Sequence, residues 1–152
     1  GVCRVPDMLR LGVPVGLAVD GSASNDGSNL LEELRVAYLL HRLVHGRQAP
    51  TGYELLKVAT RGSARLLGRT DIGCLAPGMA ADLFLVRLDR LELAGAQLDP
   101  MSMLGTVGLK GPVDYTLVNG RAVVQNGELV TVDEREAAAQ ANETVRRYLN
   151  RF

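Results

Sequence analysis

The chain has no excess of either charge sign: seventeen Lys and Arg stand against seventeen Asp and Glu. A general nucleic-acid binder relies on surplus basic residues to neutralise phosphates, so that class loses its main support. Cysteine is scarce. Cys3 and Cys74 lie far apart and match no zinc or redox spacing. Two unpaired thiols predict a reducing, cytoplasmic setting. No apolar run approaches the roughly 18 residues needed to span a bilayer, and no basic-then-apolar leader opens the chain. No membrane partner is expected. What is present is an ordinary folding composition, 47% hydrophobic and 22% charged over 152 residues. That excludes a disordered tail, a collagen-like polymer and a disulfide-stapled miniprotein.

The order of elements is that of a slice through an α/β fold. Val5 to Leu11 reads as a short helix with Pro6 in its first turn. Val13 to Asp20 is apolar until its last residue and reads as a strand buried on both faces. Ten small or polar residues, Asp20 to Asn29, form a loop. Asn29 and Glu32 then suggest a capped helix, with Leu30, Leu34, Ala37 and His41 on one side and Leu31, Leu40, Leu43 and Val44 widening the apolar surface. Gly46 stops it. Thr51 and Glu54 open a second helix with a capping box, its buried face given to Leu55, Leu56, Ala59, Ala64, Leu66 and Leu67, and Gly68 ends it.

Beyond Gly68 the pattern becomes antiparallel. Ala81 to Leu88 is a strand, and Pro100 to Leu109 holds a short helical turn. Asn119-Gly120 joins two strands, Val113 to Val118 and Arg121 to Gln125, and Asn126-Gly127 turns into a last one, Glu128 to Thr131. A final helix from Asp133 to Phe152 carries a docking stripe of Ala137, Ala141, Val145, Tyr148 and Phe152. The expected divisions are 1–68, 69–131 and 132–152.

Asp20 is the first chemical candidate. A carboxylate at the C-terminal end of a buried parallel strand sits where α/β barrels place catalytic groups, and it could ligate a metal or accept a proton there. The same residue could simply start the turn before Gly21. Ser22, Ser24 and Asn25, with Asp26, Ser28 and Asn29, could orient a substrate or serve as solvated turn residues. His41 and His45, four apart on one helix, have metal-ligand spacing, but Arg42 stands where a helical zinc motif carries Glu and no third ligand is visible. Cys74 reads as a small packing residue.

Four stretches together carry a family resemblance: Gly16-Leu-Ala-Val-Asp-Gly-Ser-Ala-Ser-Asn-Asp-Gly-Ser-Asn29, Ala59-Thr-Arg-Gly-Ser-Ala-Arg-Leu-Leu-Gly68, Asp71-Ile-Gly-Cys-Leu-Ala-Pro-Gly-Met-Ala-Ala-Asp82 and Val118-Asn-Gly-Arg-Ala-Val123. With them the chain resembles the C-terminal part of an amidohydrolase-superfamily enzyme of the cytosine/guanine deaminase and chlorohydrolase-like branch. It is most similar to the 8-oxoguanine deaminases. The resemblance implies the last strand and helices of a (β/α)8 barrel plus part of a small β-sandwich. It also implies a divalent metal, zinc by family habit, with Asp20 as metal-site and proton-transfer residue and Ser22, Ser24 and Asn25 near the substrate. The implied reaction is hydrolytic deamination of a purine-like heterocycle.

The family's paired metal histidines, two later ones and acid catalyst have no counterpart here, and His41 and His45 fall on the wrong helix to replace them. The chain opens without Met, reads as the middle of a longer polypeptide, and is expected to be inactive without a preceding barrel portion. One strand cannot close an eight-stranded barrel. A homo-oligomer is compatible with this reading. The alternatives are a chloro- or alkylamino-triazine hydrolase of the same superfamily and a non-catalytic binding or assembly module.

Overall fold

A computed structural model describes residues 1–21, 24–25 and 27–151, so Ser22, Ala23, Asp26 and Phe152 lie outside the described residues. The chain divides into two units, residues 1–80 with 88–110, and residues 81–87 with 111–152. The expected divisions at 69 and 132 are drawn elsewhere along the chain. Residues 69–80 and 88–110 go with the first unit, where Ala80 N–H donates to Asp71 O and Leu93, Met103 and Leu109 join the core.

The first unit is built of helices: α1 (Val5–Arg10), α2 (Leu30–His45), α3 (Gly52–Lys57), a π-helical turn (Val58–Gly62), α4 (Ser63–Leu66) and α5 (Met103–Thr106). Asn29 caps α2 by accepting from Leu31 N–H at 3.1 Å. Leu34, 1% exposed, and His41, 4% exposed, are its buried residues. Leu40, Leu43 and Val44, expected to widen the buried surface, are exposed. Glycine sets how closely α3 and α5 approach. A Cβ on Gly52 would stand 2.5 Å from Ser102 O, and one on Gly105 would stand 2.8 Å from Gly52 Cα. Neither position has room for a larger residue.

The capping box at α3 forms as expected. Glu54 N–H donates to Thr51 Oγ1 at 3.2 Å, and Thr51 N–H donates back to Glu54 Oε2 at 2.7 Å. The bond from the Thr51 backbone, then the one from its hydroxyl, hold the Glu54 carboxyl below its ordinary value of 4.5. A depressed folded-state pKa gives stabilisation that is complete above the unfolded value and drains away as pH falls through the folded one. Glu54→Gln should therefore flatten the stability–pH curve below pH 4.5 and leave its neutral slope unchanged. Urea melts at pH 3 to 7, on the order of four points, would check this; an unchanged acid slope would refute it.

Two further expectations for this unit need correction. Leu66 and Leu67 are not buried but 57% and 71% exposed, while Leu55, Val58 and Ala64 form the inner face. The π turn adds a residue to one helical turn, so a 3.6-residue pattern carried through it points the last leucines outward. Val13 to Asp20 is not a β-strand in the structure. A strand exists only through ladder bonds to a neighbour, and the described residues of this unit contain no other strand.

The second unit holds one antiparallel sheet ordered β1 (Leu83–Leu85), β2 (Tyr115–Val118), β3 (Arg121–Gln125) and β4 (Glu128–Leu129). Leu83 pairs with Leu117, Tyr115 with Gln125 and Val124 with Leu129. Asn119 and Gly120 have φ of 48° and 77°, Asn126 and Gly127 of 52° and 82°, so both turns use the left-handed backbone their sequences predict. Asp82 Oδ1 accepts from Asn119 N–H at 2.6 Å, tying β1 to the first turn. Among the described residues no hydrophobic side chain of this unit is fully buried.

Helix α6 (Glu134–Leu149) follows, capped by Asp133, whose Oδ1 accepts from Arg135 and Glu136 N–H. Its expected docking stripe is not buried: Ala137, Ala141, Val145 and Tyr148 are all exposed, and Phe152 lies outside the described residues. Amphipathic spacing shows that a face favours burial but not against what. Among the described residues, no helix is long and apolar enough to cross a membrane.

Candidate functional site

The segment from Val13 to Val19 is held by its fit to the α3–α4 helix. Gly16 sits so close to it that a Cβ would stand 2.8 Å from both Ser63 Oγ and Leu66 Cδ1. Gly62, in the π turn, receives the Val15 carbonyl where a side chain would otherwise be. Ser63 Oγ then accepts from Leu17 N–H at 3.3 Å and lies 3.5 Å from both Leu17 O and Val58 O. One hydroxyl thus serves the backbone on both sides of Leu17, in place of a ladder partner. The Ala59–Gly68 stretch supplies this clamp. Its helical spacing suggested only a buried face, and the unusual Gly62-Ser63 pair was the available signal for a close backbone approach.

Asp20 stands at the far end of that clamped segment. It is exposed and adopts a φ of 64°, a left-handed backbone that Asp tolerates better than most residues. Its Oδ1 accepts from Gly21 N–H at 2.7 Å, leaving Oδ2 as the other carboxylate oxygen. The loop beyond is bound to itself and to α2. Ser24 and Asn25 N–H both donate to Gly21 O at 2.9 Å, and Ser24 Oγ adds a third bond there at 3.1 Å. Asn25 Nδ2 donates to Glu33 Oε1 at 2.6 Å, while its Oδ1 accepts from Gly27 and Ser28 N–H. Asn25 therefore builds the loop with both ends of its amide. Ser22 lies outside the described residues.

The other candidates are placed apart from this carboxylate chemistry. His41 is buried in α2, where its Nδ1–H donates to Ala37 O at 2.7 Å because a carbonyl can only accept. Its ring stacks on that of His45 with centroids 6.0 Å apart. Among the described residues no three His, Cys, Asp or Glu side chains gather as a metal cluster. Cys3 is exposed and Cys74 half-buried, both as free thiols. A cleft of about 360 Å³, lined by Leu9, Val13, Val15, Lys57 and Arg61 among others, opens at the start of the clamped segment rather than at its Asp20 end.

Comparison with known proteins gives this geometry a family. The amidohydrolase family profile matches residues 1–123. Hydroxydechloroatrazine ethylaminohydrolase of Pseudomonas sp. (strain ADP) is 47% identical over 151 residues, which are 97% of this chain and 31% of that enzyme. The 8-oxoguanine deaminase of Pseudomonas aeruginosa is 46% identical over 133 residues, 88% of this chain and 29% of that protein. Among solved structures, atrazine chlorohydrolase TrzN from Arthrobacter aurescens TC1, complexed with zinc, superposes with a TM-score of 0.87 at 39% identity. The match covers 94% of this chain and 32% of that one. The chain thus spans about a third of the length of the relatives it matches, and its fold is that of the C-terminal portion of such structures.

Proposed function

Because the chain belongs to the amidohydrolase family, we propose that it forms the C-terminal portion of a metal-dependent aminohydrolase acting on a purine-like heterocycle of the 8-oxoguanine type. The observation that carries the reading is Asp20, a carboxylate in left-handed backbone at the end of a segment clamped by Gly16, Gly62 and Ser63. Strain held at one polar residue by the packing behind it is a recurrent mark of a working site. The deaminases and triazine hydrolases among the relatives support the reaction class.

Zinc takes about four donors, and the described residues contain no cluster of three or more candidates. This chain alone does not fit the ion. In the proposal Asp20 contributes one donor group, and the others belong to a barrel portion that precedes these residues. The task of this chain is positional. Gly21 N–H fixes Oδ1, which leaves Oδ2 to accept a proton from the attacking water. Ser24 and Asn25 shape the substrate side of the loop.

A triazine substrate is the second reading, favoured by the identity to the ethylaminohydrolase and by the match to the chlorohydrolase structure. A self-contained binding module is disfavoured by the exposure of Leu43, Leu66 and Leu67 in the first unit, an apolar surface suited to further barrel elements. The test is amine release by the zinc-loaded full-length protein that carries these residues. Ammonia from 8-oxoguanine is the expected product, and ethylamine from hydroxydechloroatrazine instead would establish the second reading. Chloride from a chlorotriazine would likewise establish the second reading, release of none of the three would sink both, and the 152-residue chain alone is expected to release none.

A further inference from the structure

Strained backbone brackets the loop that follows Asp20. Asp20 opens it at a φ of 64°, and Ser28 closes it at 44°. Neither is glycine, so both conformations need bonds that hold them. At Ser28 the holding group is Asn25, whose Oδ1 accepts from Ser28 N–H at 3.1 Å and from Gly27 N–H at 2.9 Å. That amide is itself gripped from behind. Its Nδ2 donates to Glu33 Oε1 at 2.6 Å, eight positions along the chain. An amide bound to a carboxylate makes a charge-assisted hydrogen bond, stronger than one between neutral groups.

Glu33 stands half-buried in the first turn of α2. Its surroundings fix that turn. Asn29 caps it, Leu34 is buried in the core, and Arg35 donates to Thr106 O in α5. The carboxylate therefore belongs to the packed body of the first unit, while Asn25 belongs to the loop. On its backbone side Asn25 N–H donates to Gly21 O at 2.9 Å, and Gly21 N–H donates to Asp20 Oδ1 at 2.7 Å. One path of bonds thus runs from Glu33 through Asn25 and Gly21 to the Asp20 carboxylate. Every bond in it is made between residues of this chain.

We propose that Glu33 is a positioning residue for Asp20, acting through the Asn25 amide; the inference rests on the proton-accepting part given to Asp20 above. With the Glu33 carboxylate removed, Asn25 has no fixed acceptor for its NH2 and loosens its hold on Gly27, Ser28 and Gly21. The Asp20 carboxylate then loses its aim while its own bond to Gly21 N–H and its charge remain. A misplacement of about 1 Å at a reacting group costs up to about a hundredfold in rate. Because Glu33 acts two residues removed from the carboxylate, Glu33→Ala should lower kcat about tenfold, with KM within about threefold of wild type.

Steady-state kinetics on the zinc-loaded full-length protein test this, with whichever of 8-oxoguanine, hydroxydechloroatrazine and a chlorotriazine the wild type turns over. Glu33→Gln keeps an acceptor oxygen at the same reach and should recover most of the loss. The double variant Asn25→Ala/Glu33→Ala should be no slower than Asn25→Ala alone, since both break one path. Amide exchange at Gly27 and Ser28, read by fragmentation mass spectrometry, should quicken about tenfold in Glu33→Ala. Unaltered exchange at these two amides overturns the proposal on any substrate. So do losses that multiply in the double variant, or a Glu33→Gln as slow as Glu33→Ala, which would trace the effect to charge rather than to the bond. Asp20→Asn is measured beside them. A slow Asp20→Asn with a Glu33→Ala of wild-type kcat overturns this inference alone, whereas full turnover by Asp20→Asn overturns the reading of Asp20 and takes this inference with it.

Discussion

Replacing Gly62 by alanine is expected to destabilise the first unit by roughly 3 kcal/mol, a fall in melting midpoint on the order of 15 °C. A Cβ at this position would overlap the Val15 carbonyl oxygen, and its next neighbours are Val15 C at 3.3 Å and Lys57 O at 3.7 Å. All three are backbone atoms, so no rotamer change makes room. Retreat of the 13–19 segment would break the Leu17 N–H bond to Ser63 Oγ and lift Gly16 from its seat against Leu66. Gly68 is the control. Its φ of 66° also disfavours alanine, but nothing lies within 4 Å of its added Cβ, so Gly68→Ala should cost only the conformational penalty, about 1–2 kcal/mol. Thermal melts of the two variants should differ clearly. Equal losses would mean that the close approach at Val15 contributes nothing beyond backbone conformation.

Asp20→Asn in the full-length, zinc-loaded protein is expected to lower kcat by about a hundredfold or more while the fold stays intact. Asparagine suits the experiment because it is as tolerant of the left-handed backbone as aspartate, and its Oδ1 can still accept from Gly21 N–H. What is lost is the charge and the second oxygen, which becomes an NH2 group that can neither accept a proton nor ligate a metal. Alanine at the same place would combine that loss with strain at a φ of 64°. Turnover, zinc content and circular dichroism together separate the effects. Full turnover with zinc retained would remove Asp20 from the chemistry and return it to its simpler part, the first residue of a turn.

What the sequence made legible was local. Asn119-Gly120 and Asn126-Gly127 announce their turns because few other pairs accept two consecutive left-handed residues. Thr51 and Glu54 announce a helix start because each satisfies the other's backbone N–H. The features that escaped are relations between distant residues. Nothing near Val13 states whether a neighbouring strand exists to pair with it. The π turn at Val58–Gly62 has no composition of its own, and its last residue, Gly62, is where the Val15 carbonyl enters. After the Ala81–Leu88 strand the sequence offered only a short helical turn at Pro100–Leu109, yet residues 88–110 supply Leu93, Met103 and Leu109 to the core. At the candidate site Asp20 was legible as a carboxylate after an apolar run. Its clamp was not, because Ser63 lies 46 positions beyond Leu17 in the chain.

The order of units along the chain sets a schedule for folding. β2, β3 and β4 are joined by two tight turns and can zip together within microseconds, from neighbours alone. Their sheet is completed by β1, which is made some thirty residues earlier and stays unpaired until Tyr115–Val118 emerges. Between the two, the polypeptide returns to the first unit to seat Ser102 and Gly105 beside Gly52, a closure across about fifty residues. A ribosome paused between Leu85 and Tyr115 would therefore hold a nascent chain with β1 waiting for its partner, the interval in which a chaperone has most to protect.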